Sequence, residues 1–143
     1  MSEPVGVPTS EREAPMSRVG IVLVSHSAGL AEGTASLAGQ VSGGTVTIVA
    51  AGGTDDGGLG TSAAKVQRGL RLADSGAGVV ILPDLGSAVL TVRALLAEDD
   101  PQVILADAPF VEGAVAATVA AAAGVDMKAV AAAAEEAWHA RKL

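Results

Sequence analysis

Short apolar runs alternate along the chain with longer stretches in which apolar residues recur at helical spacing. The first run, residues 19–25, is followed at once by His26 and Ser27. Its length suits one strand that is buried on both faces, and it is too short for a transmembrane helix. Comparable runs predict three further strands, at residues 45–50, 79–82 and 102–106.

The stretches between and after these runs carry the periodicity of amphipathic helices. Ser27 is a suitable N-cap for the first helix, and Ser42 to Gly44 ends it. The predicted helices cover residues 28–41, 62–74, 87–97, 111–123 and 127–141. Four strand–helix alternations predict an α/β fold with a doubly wound, mainly parallel four-stranded sheet and helices on both faces. We expect the strand order 2-1-3-4.

The composition narrows the class of protein. Half of the 143 residues are apolar, yet only Phe110 and Trp138 are aromatic, so the core must consist of Val, Ile, Leu and Ala. The net charge of −7 argues against nonspecific binding to nucleic acid, which requires positive charge. The absence of cysteine excludes disulfides, thiol catalysis and Cys-ligated metal.

The first 17 residues differ from the rest of the chain. They hold three of the six prolines and show no apolar periodicity, so we predict a disordered tail at 1–17 and a single domain at 18–143. Met16 is an alternative start. The tail is polar and lacks the apolar core of a secretory signal, so we expect a cytoplasmic protein without direct membrane insertion.

Polar groups follow three of the strands: His26, a glycine-rich loop that contains Thr54, and Asp84. Carboxyl ends of parallel strands share one edge of a sheet, where ligands bind. If strands one and three are neighbours, the Asp84 carboxylate can fix the tautomer of His26 and stabilise a cationic product. Backbone N–H groups near Ser27 and Ser87 would hold an anion. Such a site could carry a phosphoryl group on His26.

Each of these residues also has an ordinary structural interpretation. A lone histidine is usually a surface or hydrogen-bonded core residue, and Asp84 could simply cap the third helix. The glycine-rich loop matches neither dinucleotide-binding nor P-loop spacing, and two histidines without cysteine form no metal-ligand cluster. A non-catalytic regulatory module that binds a small anion is therefore the alternative from a different functional class.

Several motifs, in order, resemble those of a known family. They are Val24 to Ser27, Leu30 to Gly33, Ala50 to Gly52 with Leu59 to Ser62, Asp84 to Ala88, and Ala108 to Ala114. Together they resemble the phosphotransfer (DhaM-type) subunits of phosphoenolpyruvate-dependent dihydroxyacetone kinase, whose core is a mannose-family IIA domain of the phosphotransferase system. In sugar-type relatives the aspartate is commonly followed by Thr and paired glycines, so Leu85 to Ser87 favour the kinase branch. A sugar-transporter IIA component is the alternative.

The resemblance implies a phosphotransferase component with His26 as phosphoryl acceptor from phospho-HPr and Asp84 as its orienting partner. We expect Ser27, Thr54, Gly86 and Ser87 to steady the phosphoryl oxygens. The group would then pass to ADP on the nucleotide-binding kinase subunit, and a further subunit would hold dihydroxyacetone. We expect no metal or cofactor on this chain, ADP/ATP and Mg²⁺ on the partner subunit, separate phosphoryl carriers and a homodimer.

Overall fold

The computed structural model describes residues 17–96 and 100–143. The predicted tail, apart from Ser17, and the predicted turn residues Glu98 and Asp99 therefore lie outside the described residues. The strands are β1 (Gly20–Ser25), β2 (Ile48–Gly52), β3 (Val79–Pro83) and β4 (Val103–Leu105). The helices are α1 (Ala28–Ser42), α2 (Ala63–Ala73), α3 (Gly86–Leu95), α4 (Phe110–Ala122) and α5 (Met127–Glu136), and a 3-10 turn spans Ala137–His139.

The four strands form one parallel sheet in the order β2-β1-β3-β4, which confirms the predicted topology. All six residues of β1 are buried, as expected for a central strand covered by helices on both faces. In the pairing of β1 with β3, Val24 lies opposite Pro83. The residues that follow these two strands, His26 and Asp84, therefore leave the sheet at the same edge.

Small side chains allow the helices to approach the sheet closely. On one face α1, α4 and α5 pack through a core rich in alanine, and α2 and α3 pack through a second core on the other face. A Cβ atom at Gly20 would lie 2.1 Å from the carbonyl oxygen of Ala73. The end of α2 therefore rests directly on the start of β1, where only glycine fits.

β2 and the last helix differ in their bounds from the sequence prediction. β2 starts at Ile48 and continues to Gly52, because pairing with β1 holds residues whose glycine content suggested a loop. The last helix ends at Glu136 and tightens into the 3-10 turn. On α1 the larger residues Leu37 and Val41 are exposed, since the space above the sheet admits only smaller side chains on that helix.

Candidate active site

His26 follows β1 and lies over the junction between the two central strands. Its side chain is 26% exposed, whereas that of Asp84 is only 7% exposed. The His26 Nδ1 atom lies 3.0 Å from the Asp84 Oδ1 atom. The Nδ1 edge of the imidazole is thus anchored in the protein, and the ring still reaches solvent. This is the juxtaposition that strand topology predicted.

The carboxylate of Asp84 accepts hydrogen bonds on both oxygens. Its Oδ2 atom accepts from the backbone N–H of His26 at 3.0 Å and from the Ser25 hydroxyl at 2.9 Å. Burial by itself raises the pKa of Asp84, but the hydrogen bonds from His26 and Ser25 outweigh burial and hold that pKa below its usual value. Asp84 is consequently ionised at neutral pH and acts only as an acceptor.

An acceptor beside Nδ1 determines which ring nitrogen of His26 carries the hydrogen. Nδ1 must donate to Asp84, so the lone pair of the neutral ring is on Nε2. The Ser87 hydroxyl lies 2.7 Å from Nε2 and supplies the matching donor. Asp84, His26 and Ser87 therefore form a hydrogen-bonded line that ends at a nucleophilic nitrogen next to solvent.

Two helices begin beside this line. Ser27 caps α1 through its hydroxyl, which accepts from the backbone N–H of Leu30 at 3.2 Å, as predicted. The N-cap of α3 is Leu85, which makes no side-chain capping bond, so Asp84 is not the cap of that helix. Gly86 and Ser87, in the first turn of α3, are exposed. The first turn of α3 can therefore donate backbone hydrogen bonds to an anion.

The glycine-rich loop between β2 and α2 is attached to the residues around His26. The Gly53 N–H donates to the carbonyl of Ser25 at 3.1 Å, and the Gly60 N–H donates to the carbonyl of His26 at 2.8 Å. Thr54 makes its hydrogen bonds to Asp56 and Gly58 inside the loop. Within residues 17–96 and 100–143, no hydrogen bond joins Thr54 to His26. The structure therefore brings His26, Asp84 and Ser87 together, with Ser27 and Gly86 adjacent, and leaves Thr54 in its own turn.

Sequence reasoning did not include Ser25 among the candidate site residues, although the residue lies in the Val24 to Ser27 motif. Its hydroxyl is fully buried and bonded to Asp84. The signal available in the sequence was a polar residue at a position that strand burial places in the core.

The described parts of the chain contain no cluster of three or more metal-ligating side chains, and none of their helices is long and apolar enough to span a bilayer.

The chain is similar to a known family and to several known proteins. The family described as EIIA-man, PTS system fructose IIA component, matches residues 20–131. The chain is 37% identical over 105 residues to the phosphoryl donor subunit DhaM of PEP-dependent dihydroxyacetone kinase 2 from Listeria innocua, covering 71% of this chain and 84% of that protein. It is 41% identical over 119 residues to DhaM of Pantoea ananatis, covering 78% of this chain but 25% of that protein.

The DhaM subunit of Escherichia coli K12 gives a similar result, with 38% identity over 116 residues that cover 76% of this chain and 25% of that protein. The chain thus spans most of the Listeria relative and about a quarter of the other two. The fold also matches the crystal structure of EF1359, described as a protein of unknown function. The TM-score is 0.73 and the identity 37%, over 83% of this chain and 94% of that one. These matches confirm the resemblance seen in the motifs.

Proposed function

Because the chain belongs to the EIIA-man family of phosphotransferase-system components, we propose that it carries a phosphoryl group on His26. In this proposal the group comes from the phosphohistidine of HPr. It passes to ADP held on the nucleotide-binding subunit of a dihydroxyacetone kinase. The observation that carries the proposal is the line from Asp84 through His26 to Ser87, which leaves Nε2 as a nucleophile beside exposed helix donors.

The transfer itself is a single displacement at phosphorus. The lone pair of His26 Nε2 forms the new P–N bond while the P–N bond of the donor histidine breaks and its electron pair returns to the donor ring. The hydrogen on Nδ1 stays there, so the phosphorylated ring gains positive charge that the Asp84 carboxylate offsets at 3.0 Å. Phosphoryl transfer passes through a loose transition state, and its catalysis is mainly positioning and charge stabilisation.

The phosphoryl oxygens need donors on the open side of His26. The Ser87 hydroxyl, released from Nε2 when the P–N bond forms, would donate to one oxygen, and the backbone N–H groups of Gly86 and Ser87 to others. Ser27 would contribute through the N-terminus of α1 that it caps. Thr54 would first have to exchange its present hydrogen bonds within the loop. We therefore assign it the smallest contribution to binding of the phosphoryl oxygens.

The surface around His26 suits a protein donor such as HPr. Leu59, which precedes the Gly60 bonded to His26, is 84% exposed, and Leu85, which follows Asp84, is 59% exposed. Leu30, in the first turn of α1, is also exposed. Exposed leucines next to residues that bond to the site favour docking of a protein face over binding of a small phosphorylated metabolite. The acidic residues of the neighbouring loop would complement a basic rim on the donor.

The relatives are named phosphoryl donor subunits of a dihydroxyacetone kinase, which supports a separate kinase subunit as the acceptor. We further propose that ADP/ATP and Mg²⁺ are bound on that partner subunit and that this chain holds no cofactor. The ATP that is formed then phosphorylates dihydroxyacetone, which a further subunit holds. We also propose a homodimer, supported by the exposed Leu37, Val41 and Val119 on the outer faces of α1 and α4.

The test is phosphohistidine formation after incubation with phosphoenolpyruvate, enzyme I and HPr. Wild type and His139→Ala should gain an acid-labile phosphate, and His26→Ala should not. His139 is the only other histidine and is exposed at the far end of the chain, so it is a matched control. Addition of the two kinase subunits with dihydroxyacetone then separates the kinase function from that of a sugar transporter. Failure of folded wild type to accept phosphate from HPr of two sources would favour the anion-binding module.

A further inference from the structure

Among the residues that the structure describes, Ser25 is the one fully buried hydroxyl that touches the site. It is the last residue of β1, it lies opposite Gly52 of β2, and its carbonyl accepts from the loop N–H of Gly53. Both the main chain and the side chain of Ser25 are therefore held in place. Nothing in the transfer step described above requires a hydroxyl at this position, yet the fold buries one there.

The hydrogen of this hydroxyl has only one direction available. The backbone N–H of Ser27 donates to the Ser25 Oγ atom at 3.0 Å, so a lone pair of Oγ faces Ser27. The Oγ–H bond must then point to its other neighbour, the Oδ2 atom of Asp84 at 2.9 Å. The result is a polarised chain that runs from the N-terminal end of α1 through Ser25 to the carboxylate.

These hydrogen bonds determine the orientation of the Asp84 carboxylate relative to His26. Oδ2 is held by two donors, the Ser25 hydroxyl and the backbone N–H of His26. With Oδ2 fixed, the planar carboxylate must aim Oδ1 at the Nδ1 atom of His26. If the hydroxyl were lost, Oδ2 would keep one donor, and the carboxylate could turn away from the ring.

We propose, on the basis of the function proposed above, that Ser25 is a positioning residue for phosphoryl transfer, which acts through Asp84 to keep the hydrogen of His26 on Nδ1 and the lone pair on Nε2. Ser25 touches neither the phosphoryl group nor the reacting nitrogen. Its effect must therefore disappear when Asp84 no longer offers a carboxylate.

The experiment is a double-mutant cycle on the rate of phosphorylation by phospho-HPr, with Ser25→Ala, Asp84→Asn and the double variant. We expect Ser25→Ala to slow transfer roughly tenfold, the usual size for loss of an outer partner of a functional side chain. The double variant should be no slower than Asp84→Asn alone. Ser25→Cys, which keeps the shape of the side chain with a larger atom and donates only weakly, should fall between Ser25→Ala and wild type.

A second readout does not depend on transfer. The ¹⁵N shifts of the His26 ring in the unphosphorylated protein report its tautomer, and Ser25→Ala should raise the fraction with hydrogen on Nε2. Thr118→Val is the matched control, because it removes a fully buried hydroxyl that bonds only within α4 and should leave the His26 signals unchanged.

Two results would overturn the inference. One is an equal loss of rate from Ser25→Ala in the wild-type and Asp84→Asn backgrounds, which would mean that Ser25 acts independently of the carboxylate. The other is a His26 tautomer that Ser25→Ala leaves unchanged. If wild type itself accepts no phosphate, the proposed function fails, and the tautomer measurement still decides the role of Ser25.

Discussion

Replacing Asp84 with asparagine keeps the size of the side chain and removes its charge, which makes it the sharpest test of the site. The carboxylate accepts three hydrogen bonds, two on Oδ2 and one on Oδ1. Asparagine has one acceptor oxygen and one donor NH₂ group. If its oxygen meets the Ser25 hydroxyl and the His26 N–H, its NH₂ group faces Nδ1, which can then only accept. The hydrogen of the ring would move to Nε2 and block the nucleophile.

The size of the effect follows from the bonds that are lost. A hydrogen bond to a charged group contributes about 1.5–3 kcal/mol, and each 1.4 kcal/mol is about tenfold. The reactive tautomer should therefore become about 12- to 140-fold rarer. The loss of charge beside a ring that becomes cationic adds to this, and the same exchange in serine proteases costs about 10⁴-fold through the wrong tautomer. We expect transfer from phospho-HPr to slow by roughly 10²- to 10⁴-fold.

The assay is rapid-quench phosphorylation at saturating phospho-HPr, with the His26 ring ¹⁵N shifts recorded on the same samples. Asp126→Asn is the matched control: it makes the same chemical change at the N-cap of α5, where Asp126 accepts from the Ala129 N–H at 2.9 Å, and asparagine caps equally well. A wild-type transfer rate in Asp84→Asn, or a ring that still carries its hydrogen on Nδ1, would refute the reasoning.

Three further outcomes are expected. Ser87→Ala removes the hydroxyl 2.7 Å from Nε2. Because a neutral hydrogen bond contributes about 0.5–1.5 kcal/mol, transfer should slow only about 2- to 12-fold. An unchanged rate would remove Ser87 from the site. Because the folded-state pKa of Asp84 is lowered, its contribution to stability is present above the unfolded pKa of about 3.9 and is lost as pH falls through the lower folded value. Urea unfolding across that acid range should therefore depend less on pH in Asp84→Asn, and an equal dependence would contradict the assigned bonds. Gly52→Ala would place a Cβ 2.5 Å from a carbonyl oxygen at the start of α1 and should destabilise the fold by about 1–3 kcal/mol in the same unfolding assay. Gly33→Ala is the control, because a Cβ on this exposed side of α1 meets nothing within 4 Å. It should be neutral or stabilising.

The order of the elements and the meeting of His26 with Asp84 were predictable from local patterns. Apolar runs of strand length alternating with helical periodicity leave few topologies, and parallel strands place their carboxyl ends together. With β1 and β3 as neighbours, residues that directly follow them must share one edge. The N-caps Ser27 and Asp126 could likewise be predicted from the sequence, because a cap depends on its own side chain and the next three residues.

Other features depended on partners far along the chain. Ser25 and Asp84 are 59 residues apart, and no local pattern tells whether a buried hydroxyl donates to its own backbone or to a distant carboxylate. The extension of β2 to Gly52 likewise depends on pairing with β1, which outweighs the loop preference of glycine. Thr54 lies in a loop whose composition is typical of anion-binding loops. Its hydroxyl, however, is already hydrogen-bonded to Asp56 and Gly58 within that loop. Sequence thus determined which chemistry could meet at the edge of this sheet. Tertiary packing decided which hydrogen bonds formed there, because a buried donor can bond only to an acceptor that the fold places beside it.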